Sequence, residues 1–128
     1  MTAKKILFLG DSFTVGTGLS NPQEAFPLIL ADALKAEPRI YAIDGHTTKH
    51  LLGVLDFAEP FSNPMHPKHT VIAGNYDVAM LSIGANDLFR GHALADYKHH
   101  FSELLDRAVW FTGNRPSRVI ALSVPAWD

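Results

Sequence analysis

Four short apolar runs punctuate the chain, at Lys5 to Leu9, Arg39 to Ile43, Asp77 to Ile83 and Arg118 to Val124. Each is rich in β-branched or aromatic residues and nearly continuous rather than alternating. That pattern belongs to strands buried on both faces, as in a parallel sheet covered by helices. Between the runs the apolar positions fall at helical spacing: Leu28, Ala31 and Leu34, then Leu51, Leu52 and Leu55, then Tyr97, Phe101, Leu104, Leu105 and Ala108. Pro27 suits the first turn of the first helix, where its missing donor does no harm. Thr47 or Thr48 is placed to cap the second helix, and the third should end near Gly113. The stretch Ala58 to Asn75 holds Pro60, Pro64 and Pro67 with two histidines and reads as a long surface loop. Internal repeats and low-complexity segments are absent from the sequence.

Strands alternating with helices imply right-handed crossovers and a doubly wound α/β fold. In such sheets ligands bind outside the carboxyl ends of the strands. The four runs lead into GDSFT at Gly10 to Thr14, DGHTT at Asp44 to Thr48, GANDLFRG at Gly84 to Gly91 and PAWD at Pro125 to Asp128. The first three junctions carry the small and polar residues that suit a site.

Composition narrows the classes. With 128 residues, 47% hydrophobic and 19% charged, the sequence suits one globular domain over residues 1–128. A net charge of −2 leaves no broad cationic surface of the kind that neutralises phosphates, so nucleic acid is not an expected partner. The absence of cysteine removes disulfides, thiolate metal sites and cysteine nucleophiles together. Lys4 and Lys5 precede an apolar run that stops after Leu9, too short for a signal-peptide core, and no apolar stretch approaches a membrane span. A soluble, cytoplasmic protein is expected.

Gly-Asp-Ser after a strand is, alone, an ordinary turn. The other strand ends change its meaning. Ser12 offers a hydroxyl, Gly45 a backbone N–H that can approach a ligand closely, and Asn86 a side-chain amide. A nucleophile with donors at neighbouring strand ends is what acyl transfer needs, since charge develops on the carbonyl oxygen as the hydroxyl attacks. Other chemistries fit less well. Gly16 and Gly18 are followed by Asn21 rather than the third glycine of a dinucleotide fingerprint, and GTGLSN lacks the lysine of a phosphate-binding loop. His46 and His50 stand four apart as zinc ligands often do, without a Glu after His46 or an evident third ligand. No cofactor or metal is expected.

The stretches LFLGDSFTVG, DGHTT and LSIGANDLF resemble the first three blocks of the SGNH hydrolases, also called GDSL esterases and lipases, and the likeness extends to the helix before RVIALSVPAWD. The resemblance implies a flavodoxin-like sheet in the order 2-1-3-4, with a fifth strand beyond the fourth and missing from this sequence. It implies Ser12 as nucleophile and an oxyanion hole from Ser12, Gly45 and Asn86. Gly10, Asp11, Gly84 and Asp87 then match residues that shape those loops. Small acyl, acetyl or lipid esters are the implied substrates.

The family's fourth block, an Asp-x-x-His close to the C-terminus, supplies the general base; the one Asp-x-x-His in these 128 residues, Asp96 to His99, falls within the third helical stretch and not at the C-terminal end. His46 lies within the oxyanion loop rather than where a base would collect the Ser12 proton. His92 reads as an exposed loop histidine able to line a pocket, and His99 and His100 as structural helix residues. His66 and His69 need no role. Phe101, Trp110 and Phe111 read as core or helix-end packing, as do Leu88 and Phe89 in preference to an apolar wall for an acyl group. A C-terminally incomplete esterase is the reading favoured. The alternative is a non-catalytic or partner-completed SGNH-like binding module, with self-association through the open edge of the fourth strand.

Overall fold

The structure, a computed structural model, describes residues 4–58 and 76–123. The prolines and histidines of the loop expected from Ala58 to Asn75 lie outside these residues, as does the end of the fourth run. Along the chain come β1 (Lys5–Gly10), α1 (Ser12–Val15), a 3-10 turn (Pro22–Glu24), α2 (Phe26–Leu34), β2 (Glu37–Ala42) and α3 (Thr48–Ala58). Then follow β3 (Val78–Ser82), α4 (Ala85–Phe89), α5 (Leu94–Phe111), a second 3-10 turn (Pro116–Arg118) and β4 (Val119–Ala121). The strands form one parallel sheet in the order β2-β1-β3-β4, as expected.

Helices cover both faces of the central strand, because successive side chains of a strand point to opposite sides. Leu7 and Leu9 join Ala79 and Leu81 of β3 in a cluster with Leu51 and Leu55 of α3 and Leu104, Ala108 and Phe111 of α5. On the other side Phe8 meets Phe26 of α2 edge-to-face at 5.9 Å. Phe111 is fully buried, and Phe101 and Trp110 pack against this core. Among the described residues, no helix is long and apolar enough to cross a membrane.

Burial on both faces, expected of all four strands, holds for β1, where every residue after Lys5 is buried. The first half of β2 is exposed, and Ile120 of β4 is 46% exposed. Position in the sheet is the reason: β2 and β4 are the outer strands, with a neighbour on one side only. An outer strand also accommodates Pro38, which has no N–H to give to a second ladder.

Capping follows the sequence closely. Pro27 lies in the first turn of α2. Thr47 Oγ1 accepts from His50 N–H at 3.3 Å, and His50 Nδ1 accepts from Thr47 N–H at 3.2 Å. This is a reciprocal cap in which an imidazole stands where Glu or Gln is usual. Gly113, at φ 73°, follows the end of α5.

Candidate active site

Register brings three strand ends together. Gly10 pairs with Ala42 on one side and with Ser82 on the other, so the chains leaving β1, β2 and β3 depart at one level of the sheet. Gly10 must be small: a Cβ there would collide with the Thr14 side chain and lie 2.8 Å from the Ser82 carbonyl oxygen.

From β1 the chain passes directly into α1. Asp11 caps this turn, its Oδ1 accepting from Phe13 N–H at 3.1 Å. Ser12 is the first helical residue, and an N–H in that position has no partner within the helix. The Ser12 hydroxyl meets no hydrogen-bonding group, and no imidazole, among the described residues. Ser12 lines a cleft of about 290 Å³ with Phe13, Gly16, Thr17, Leu19 and Asp44.

Beyond β2, Gly45 turns with φ 78°, a left-handed conformation that glycine adopts without steric cost. Its N–H finds no acceptor among the described residues. Two side chains of the β3 loop hold the carbonyls that follow: Arg90 Nη2 donates to Gly45 O at 2.7 Å, and Asn86 Nδ2 donates to His46 O at 2.9 Å. Gly84, at φ 138°, makes the turn into α4. Asp87 is buried and accepts from both the N–H and the hydroxyl of Thr48.

Burial dominates the electrostatics. It raises the Asp11 carboxyl above the ordinary range; the Phe13 N–H opposes that shift, and the charges of Asp44 and Asp87 add to it. His46 is pushed down from its usual value, first by desolvation and then by His50 and Arg90. Burial also raises Tyr97, with a smaller contribution from Asp87.

Of the residues singled out from sequence, Gly45 and Asn86 lie on loops tied directly to each other, and Ser12 faces the β2 loop across the cleft through Asp44. His46 and His50 have ring centroids 5.1 Å apart, and among the described residues no third metal ligand gathers with them. His92 is partly exposed, with Nδ1 3.8 Å from Asp87 Oδ2. It also lines a cavity of about 250 Å³ with Gly84, Asp87, Leu88, Leu94 and Tyr97. His99 is exposed and pairs with Glu103 at 2.9 Å. Packing roles for Leu88 and Phe89 are corrected: they are 65% and 62% exposed, because α4 stands at the sheet's end with Ala85 and Asp87 turned inward. Arg90, Thr48 and Asp44 were not recognised as parts of the site. The only signal for Arg90 is its place four residues after Asn86, one helical turn along.

A model of the GDSL-like lipase/acylhydrolase family matches residues 8–123, nearly the whole chain. The chain belongs to that family. Among solved structures, this GDSL-family chain is similar to AlinE4, an SGNH-hydrolase family esterase, with 26% identity and a TM-score of 0.69 over 98% of this chain and 62% of that one. It also resembles TesA, with 19% identity and a TM-score of 0.70 over 96% and 62% of the two chains. A lipolytic protein of the G-D-S-L family from Desulfitobacterium hafniense DCB-2 has 18% identity and a TM-score of 0.64, over 94% of this chain and 58% of its own. The GDSL-family chain thus spans about three fifths of the length of these structures. No curated protein sequence matches it.

Proposed function

We propose that this chain carries the nucleophile and oxyanion hole of a serine esterase acting on small acyl, acetyl or lipid esters. The observation that carries the reading is a set of uncommitted donors at adjoining strand ends. These are the Ser12 N–H at the start of α1, the Gly45 N–H, and the second N–H of the Asn86 amide, whose first is spent on His46 O. Donors held ready before reaction stabilise developing negative charge without reorganising. The likeness to AlinE4, a family esterase, points the same way.

In this reading the Ser12 hydroxyl attacks the ester carbonyl and gives up its proton to a base. The carbonyl oxygen takes the negative charge among the three donors, and collapse of the tetrahedral intermediate expels the alcohol and leaves an acyl-serine for water to hydrolyse. The base is not among the described residues, since no imidazole meets Ser12. Loss of a triad histidine costs about a millionfold in turnover and leaves roughly a thousandfold acceleration from the oxyanion hole and binding. That unaccompanied hydroxyl also supports a second reading, a module that binds an acyl or acetylated ligand without turnover, or is completed by a partner.

Activated aryl acetates and longer-chain aryl esters separate the two. Turnover that disappears in Ser12→Ala, with ligand affinity retained, supports the esterase. Equal rates for the native chain and Ser12→Ala at every enzyme concentration exclude it and leave the binding module.

A further inference from the structure

Gly45 is a hinge. Its N–H and its carbonyl belong to successive peptides joined at a residue with almost free φ and ψ, so a donor on this glycine is only as well aimed as its neighbours make it. The Ala42 end is fixed by the ladder to β1. The other end is fixed by Asn86 on α4 and by Arg90, the residue that caps the C-terminus of α4 one turn later, which grip the consecutive carbonyls of His46 and Gly45. The Arg90 guanidinium also lies against the glycine itself, 3.6 Å from where a Cβ would stand.

From this geometry we infer that Arg90 is a positioning residue for the Gly45 donor. It touches no reacting atom and acts by holding the Gly45–His46 peptide, so that the N–H of the preceding peptide keeps its direction. The inference rests on the oxyanion reading of Gly45. A misdirected donor loses stabilisation in the transition state more than in substrate binding, so its loss appears in kcat rather than KM.

Two variants test it: Arg90→Met, which keeps length but removes donors and charge, and Arg90→Lys, which keeps a cationic donor. Arg90 is solvent-exposed, so neither substitution opens a cavity. In ¹⁵N-labelled protein the Gly45 amide order parameter should drop from about 0.85 to below about 0.6 in Arg90→Met. Leu7 and Leu9 should be unchanged, and Arg90→Lys should recover part of the order. On an aryl acetate, kcat should fall roughly tenfold to a hundredfold with KM within about twofold, and lysine should restore part of it. A Gly45 amide as rigid in Arg90→Met as in the native chain overturns the inference, as does a looser amide with unchanged kcat. If the native chain itself turns over no ester, the esterase reading fails while the order parameter still decides the role of Arg90.

Discussion

Asp87 on α4 takes both hydrogen bonds that Thr48 on α3 can give, from its N–H at 2.9 Å and its hydroxyl at 2.7 Å. Both residues are buried, and the pair fastens the start of α3 to the loop beyond β3. Asp87→Ala leaves two buried donors unmade, about 1–3 kcal/mol each, and should lower the melting temperature by roughly 10 °C. Asp87→Asn retains an acceptor for the Thr48 N–H and should lose less. Thermal denaturation of the two variants checks the order.

Gly10 is required for space, not for an unusual backbone angle. Gly10→Ala drives a methyl group into Thr14 and the Ser82 carbonyl, and overpacking of this kind costs about 1–3 kcal/mol. Urea unfolding should show a lowered midpoint with the slope unchanged. A midpoint equal to the native value would mean that α1 moves aside freely.

Asp11 should make stability depend on pH in an unusual direction. Its folded value is raised above 3.8, so the native state holds this proton more firmly than the unfolded chain does. The corresponding stability is present at low pH and is lost as pH rises through the folded value. Asp11→Asn keeps a good cap and removes the burden of a buried charge. Its stability relative to the native protein should therefore increase as pH rises above about 4; a difference that stays flat as pH rises contradicts the assignment.

For His46 the sign reverses. A folded value below 6.5 means that the unfolded chain binds the proton first, and the stabilisation, complete above about pH 6.5, is lost as pH falls through the folded value. His46→Gln should flatten the stability curve below that pH. Titration of the His46 ring resonances gives the folded value directly, and one at or above 6.5 would refute the prediction.

The central strand and its turn into Ser12 were legible because an apolar run ending in glycine and two polar residues has few other interpretations in an α/β chain. Gly45 and Asn86 were legible for the same reason, at the ends of the flanking strands. The clamp between them was not. Arg90 and Gly45 are 45 residues apart, Thr48 and Asp87 are 39 apart, and local periodicity carries no record of such pairings. α1 and α4 have four and five residues, too few to display a helical repeat. The exposure of β4 depends on which strands lie beside it, a property of topology rather than of the apolar run Arg118 to Val124.

β1 is one of the two inner strands of the sheet and the first of its four strands to be made. It meets β2 soon after Glu37 emerges, but the bond from Lys5 N–H to Asp77 spans 72 residues. At about 5–20 residues per second, translation leaves the most apolar strand of the fold with one bare side for roughly 4–14 s. During that interval Leu7 and Leu9 offer a nascent-chain chaperone the surface that β3 and α5 later take over.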